Sequence, residues 1–199
     1  SAASDVYKRQ AGLLSDFSSW GLSADGELKP DLAAPGGAIY AAINDNDYAN
    51  MQGTSMASPH VAGAAVLVKQ YLLATYPTKS PQEIEALVKH LLMSTAKAHV
   101  NKETTAYTSP RQQGAGIIDT AAAISTGLYL TGEDGYGSIT LGNVEDTFSF
   151  TVTLHNITNE DKTLNYSTQL TTDTAQNGLI TLAPVSYTHL RAHETCADL

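Results

Sequence analysis

Apolar side chains in this chain recur with helical spacing through its middle third and with period two beyond residue 127. The pattern divides the sequence into a helical stretch and a strand-forming one. Met56 to Tyr76 is rich in Ala, Val and Leu, with Pro59 its one proline and Gly63 its one glycine, and reads as a buried helix. Pro59 is expected in the first turn, where its missing N–H would have no intrahelical partner. A second helix is signalled by Ser80 and Glu83 in S-x-x-E capping-box spacing, by Pro81 at the first helical position, and by Ile84, Leu87, Val88, Leu91 and Leu92 on one face. A polar connection then runs from Lys97 to Gln113, followed by GAGIID and a short Ala-rich helix from Asp119 to about Ser125.

The flanking regions read differently. Phe17 to Tyr48 is predicted as loops around short strands: FSSWG ends in Gly21, DGELKPDLAAPGG is dense in Pro and Gly, and AIYAAI is a short apolar run suited to a buried strand. Beyond Gly127, Phe148, Phe150, Val152 and Leu154 alternate with Thr147, Ser149, Thr151 and Thr153, which predicts a half-buried strand over Thr147 to Asn156. Tyr136 to Leu141, Leu164 to Leu170 and Leu179 to Leu182 are weaker strand candidates. About four strands are visible where an immunoglobulin-like sandwich uses about seven, so this second domain is expected to be cut short. Asn156 and Asn165 each open an N-x-S/T triplet, read here as ordinary strand and turn residues.

Composition narrows the function classes. The 199 residues are 42% apolar, enough for a packed core, and twenty acidic side chains against eleven basic ones give a net charge of -9. An acidic surface disfavours nucleic acid and anionic membrane as partners, since both need a basic face. No run approaches the length of a membrane span. Cys196 is the single cysteine, which excludes an intrachain disulfide and a cysteine-rich metal site. The first ten residues and residues 185–199 lack any period and resemble translated adapter read-through, so they are set aside, together with His189, His193 and Cys196. The expected organisation is 1–10 artefact, 11–126 the main domain, 127–184 a partial strand domain, and 185–199 artefact.

Chemistry concentrates in Gly53 to Gly63, GTSMASPHVAG. A serine between a loop and the start of a helix has its hydroxyl at the positive end of the macrodipole, beside backbone N–H groups that lack intrahelical partners. Such groups can hold an oxyanion, although a serine there is often only a helix cap. The motif resembles the serine motif of the subtilisin family. The resemblance implies that Ser55 is the nucleophile and contributes its own N–H to the oxyanion hole, with Gly53, Thr54 and Met56 flanking the site. It also implies that His60 is a helix residue with a packing role, and that Asp31 is structural and not the triad acid.

FSSWG and LKPDLAAPG resemble the segments that line the substrate cleft and support the nucleophile loop in that family. SPRQQGAGIID, followed by the strand stretch, is similar to the Gram-positive cell-envelope proteinases of the lactocepin and complement anaphylatoxin peptidase type. The implied fold is α/β: the C-terminal part of a subtilisin-like catalytic domain, with a parallel sheet and helices, passing into a partial all-β fibronectin type III-like sandwich. The implied activity is serine endopeptidase hydrolysis of a protein or peptide substrate through an acyl-enzyme, in an extracellular or cell-wall setting and with no cofactor. The triad Asp, the triad His and the oxyanion Asn would precede residue 1, so residues 1–199 alone are expected to be inactive. The rival reading is a non-catalytic cell-surface scaffold or adhesion module.

Overall fold

The computed structural model describes residues 12–103, 105, 107–141 and 147–164. In chain order these form strand β1 (Ile39–Ile43), a 3-10 turn (Asn44–Asn46), strand β2 (Asp47–Met51), helix α1 (Thr54–Thr75), helix α2 (Pro81–Ser94), a one-turn helix α3 (Pro110–Gln113), helix α4 (Thr120–Ser125) and strands β3 (Leu128–Thr131) and β4 (Thr153–Asn156). The predicted strands over Leu164 to Leu170 and Leu179 to Leu182, residues 1–10 and 185–199, and Asn165 and Cys196 fall outside the described residues, Leu164 excepted.

The core is a seam between the two long helices. Ala64, Val68 and Leu72 recur every fourth residue along α1 and face Ile84, Leu87, Leu91 and Leu92 of α2, with Ala123 of α4 closing the end. Each of the larger side chains contributes about 1.5–3 kcal/mol by leaving water. α2 starts as predicted: the Ser80 hydroxyl accepts from the Glu83 N–H at 3.3 Å, and the Ser80 N–H donates to the Glu83 carboxylate at 2.8 Å. α4 also follows the prediction, with the Asp119 carboxylate accepting from Ala122 N–H at 2.9 Å.

Several expectations are corrected. α1 begins two residues earlier than predicted, so Pro59 lies in its second turn and leaves the Ser55 carbonyl without the N–H four residues on. Only one stripe of α1 is buried; Val66, Leu67 and Leu73 are more than half exposed, because α2 and α4 cover a single side of it. The parallel sheet is absent among the described residues. In its place stand two two-stranded antiparallel sheets, β1–β2 and β3–β4, and a single parallel bridge between Ala33 and Ile117. Pro35, two residues beyond Ala33, supplies no N–H to continue the pairing on that side.

The AIYAAI strand is real but not buried. It pairs in an exposed hairpin with β2, Ile39 opposite Met51 and Ile43 opposite Asp47, around a turn in which Asp45 and Asn46 take left-handed φ values of 63° and 58°. The run NDN between two apolar stretches carried that signal, since Asn and Asp tolerate this conformation. Tyr136 to Leu141 is irregular, and the Thr147 to Asn156 strand is reduced to Thr153–Asn156. β3 offers only four residues to pair with, and an extended segment without a partner makes no ladder.

The predicted polar connection is more ordered than its composition suggests. Gln113, 3% exposed, receives the His99 N–H on its carbonyl oxygen at 2.6 Å and donates to the Thr108 carbonyl at 2.5 Å. Ser109 caps α3 by accepting from Arg111 N–H at 3.2 Å, and Pro110 takes the first helical position, the Ser-Pro signal of a helix start. Two outcomes are expected in chemical denaturation: Leu72→Ala, which opens a void at a fully buried site, lowers stability by about 3 kcal/mol. Gln113→Ala, which strands a buried N–H and carbonyl, lowers it by about 2 kcal/mol.

Candidate active site

Ser55 stands in the first turn of α1, exposed to solvent. β2 ends at Met51, and Gly53 turns the chain into the helix with φ 147° and ψ 167°, a backbone conformation that side chains resist. Gly53 has no side chain with which to cap, so its carbonyl receives Met56 N–H at 3.0 Å and Ala57 N–H at 3.3 Å while the N–H groups of Thr54 and Ser55 stay uncommitted among the described residues. These amides and the dipole of a 22-residue helix make the local field positive at the Ser55 hydroxyl. Met56 is half-buried and approaches Gly53 from the inner side; Thr54 is exposed.

A backbone strap holds this turn from below. Gly36 carbonyl accepts from Gly53 N–H at 2.9 Å, and Gly36 is buried so tightly that a Cβ there would lie 2.7 Å from the Gly53 carbonyl oxygen and 3.1 Å from Ala57 Cβ. The strap itself is anchored by the GAGI run. Ala33 N–H donates to Gly116 carbonyl at 2.9 Å, Ile118 N–H to Ala33 carbonyl at 3.0 Å, and Ala115 N–H to Asp31 carbonyl at 3.1 Å. Gly114 and Gly116, at φ 62° and 126°, pass against the carbonyls of Asp31 and Lys97 with no room for a side chain. The FSSWG segment joins the same frame, because Gly21 N–H donates to Arg111 carbonyl and Arg111 Nε–H to Gly21 carbonyl, both at 2.7 Å. Phe17, Leu32, Ala34, Thr54 and Ala57 are among the residues around a cavity of about 250 Å³ beside the start of α1.

The other sequence candidates are placed clearly. His60 donates from Nδ1 to the Met56 carbonyl at 2.8 Å, a contact within its own helix, and makes no hydrogen bond to Ser55. Asp31 sits at the far end of the strap, between Lys29 at 2.9 Å and Lys89 at 3.3 Å. Burial alone would raise its pKa, but the Lys29 hydrogen bond and the Lys89 charge outweigh this and hold the carboxyl below its usual range. Of the described histidines, none hydrogen-bonds to Ser55. Among the described residues no group of three or more His, Cys, Asp or Glu could hold a metal ion, and no helix is long and apolar enough to cross a membrane.

The subtilase family model matches residues 2–116, more than half the chain. The chain belongs to the subtilase family. It is 44% identical over 172 residues to the C5a peptidase of Streptococcus pyogenes serotype M1, covering 86% of this chain and 15% of that protein. It is 36% identical over 175 residues to the PI-type proteinase of Lactococcus lactis subsp. cremoris, covering 81% of this chain and 9% of that protein. The subtilase chain thus spans about a seventh or less of the length of these curated relatives. Among solved structures, the prenylagaramide maturation protease PagA aligns over 58% of this chain and 38% of its own at 24% identity and TM-score 0.45, a likeness that adds nothing to the assignment. The helices and small sheets are those of an α/β subtilase domain in part. For the turn itself, Gly36→Ala is expected to cost about 1–3 kcal/mol by pushing Gly53 and Ala57 off the strap, read as a lower denaturation midpoint.

Proposed function

We propose that the parent protein is a serine endopeptidase and that Ser55 is its nucleophile, with Gly53, Thr54 and Met56 shaping the turn that presents it. The observation that carries this reading is the Ser55 hydroxyl at the entrance of α1, beside backbone N–H groups that no other described residue uses. In the reaction, the Ser55 oxygen attacks a peptide carbonyl and its proton passes to a base. The C–N bond then breaks, the amine leaves with that proton, and water hydrolyses the resulting ester. An N–H aimed at the developing oxyanion lowers the barrier by about 3 kcal/mol.

The base lies outside the described residues. His60 makes no hydrogen bond to Ser55, and the subtilase resemblance assigns the triad His, the triad Asp and an oxyanion Asn to sequence that precedes residue 1. Residues 1–199 alone are therefore proposed to be inactive. The relatives named C5a peptidase and PI-type proteinase support a protein or peptide substrate and an extracellular or cell-wall location for the parent. The β3–β4 hairpin is proposed to open a second, fibronectin type III-like unit over residues 127–184, a reading that rests on the order of segments in the cell-envelope proteinases.

Two measurements test the proposal. A fluorophosphonate probe is expected to label Ser55 in the parent protein and to leave purified residues 1–199 unlabelled. In the parent, Ser55→Ala is expected to lower kcat by at least about a thousandfold with folding unchanged. Peptide cleavage that survives this substitution removes Ser55 from the mechanism.

A further inference from the structure

Three aromatic rings lie in one column where the β3–β4 hairpin meets α2. His90 of α2 stacks on Tyr129 of β3 with ring centres 5.0 Å apart and planes 8° from parallel. Tyr129 stacks on its other side against His155 of β4, at 4.4 Å and 7°. Tyr129 is thus held between two imidazoles, one from the helix and one from the far strand. The Leu130 N–H also donates to the Ser94 hydroxyl at 2.9 Å, and Tyr129 and Ile157 pack against the helix core.

The two imidazoles differ in what they can do with a proton. His155 Nε2 lies 2.9 Å from the Thr131 hydroxyl, which can donate to a neutral ring or accept from a charged one. His90 has no such freedom: its Nδ1 is buried with no hydrogen-bond partner. An unprotonated nitrogen there forgoes only an acceptor's bond, whereas protonation places a buried donor opposite nothing that can receive it. The charged groups that bear on His90 are His155, across the column on β4, and Lys89, beside it on α2. The Lys89 ammonium is paired to Asp31 and lies 5.6 Å from the Tyr136 ring centre, and among the described residues no carboxylate bears on His90.

We propose that the His90–Tyr129–His155 column is a pH-sensitive clasp that docks the strand hairpin on α2 while His90 is neutral and loosens as His90 takes a proton. Protonating His90 places a cation and an unpartnered N–H in a buried position between α2 and the hairpin, and attraction of that cation to the Tyr129 ring offsets only part of the cost. Burial, followed by the charges of His155 and Lys89, holds His90 below the ordinary imidazole value. Docking therefore keeps its full strength above about pH 6.5, the value of a free imidazole, and weakens as the pH falls below it, because the released state binds the proton more tightly. α2 packs along α1, so the clasp fixes the hairpin to the helix that presents Ser55.

Hydrogen exchange on residues 1–199 tests this directly. Protection of the Leu128–Thr131 amides, corrected for intrinsic exchange, is expected to fall at least about tenfold between about pH 7.5 and about pH 5.5. The midpoint is expected to coincide with the titration of the His90 ring, followed by NMR of isotope-labelled histidine. His90→Phe keeps a flat ring in the column but takes no proton, and the pH dependence is expected to vanish. Equal protection at both pH values overturns the clasp, as does a midpoint that departs from that of His90 or a pH dependence that persists in His90→Phe. If that variant does not fold, the coincidence of midpoints in the unaltered chain decides the matter.

Discussion

The apolar seam between α1 and α2 is the constraint on which the described structure depends. Val68 and Leu72 on one helix and Ile84 and Leu91 on the other are fully buried, and nothing else among the described residues buries comparable apolar surface. The seam fixes the axis of α1, and with it the direction in which the first turn of that helix faces. It also fixes α2, whose outer side carries His90 and Lys89. Both the candidate nucleophile and the junction with the strand hairpin are thus positioned by one packing interaction made several residues away from either.

Packing alone does not shape the nucleophile turn; close backbone approach does. Gly53 occupies a backbone region that a Cβ would strain, and Gly36 lies against it with no space for a side chain. The strap that brings Gly36 there is held at its other end by Gly114, which passes against Pro30 and Asp31, and by the Ala33 N–H donating to the Gly116 carbonyl. Glycines in three separated stretches of sequence therefore meet in one continuous contact. The consequence is a helix entrance whose first amides stay available, because Gly53 supplies no capping side chain to consume them.

What could be read from the sequence follows the range of the forces involved. The capping box at Ser80 and the stripe of α2 involve residues within a few positions of one another, and both are found where the pattern put them. α1 starts two residues before the position its composition predicts, because Pro59 suggests the first turn, whereas the helix tolerates it in the second. The hairpin of β1 and β2 was legible in the NDN turn and was missed because its apolar residues suggested burial. The parallel sheet is implied by family resemblance and by no periodicity in these residues, and among the described residues it is represented only by the bridge between Ala33 and Ile117. The aromatic column had no sequence signal at all, since His90, Tyr129 and His155 are brought together only by tertiary packing.

The same distinction between local and distant determinants runs through the proposed chemistry. Presenting a serine hydroxyl beside free amides needs a glycine turn, a helix start and a strap, all of which contiguous segments of this chain provide. Accepting the proton of that hydroxyl needs an imidazole held at hydrogen-bonding distance, and the one histidine nearby in sequence, His60, is bonded to the carbonyl of Met56. Helix geometry explains why His60 and Ser55 do not meet. A side chain five positions on is carried around the axis and one turn along it, so a residue of the same helix is poorly placed to face the Ser55 oxygen. A serine proposed as nucleophile at a helix entrance thus needs a base from another element.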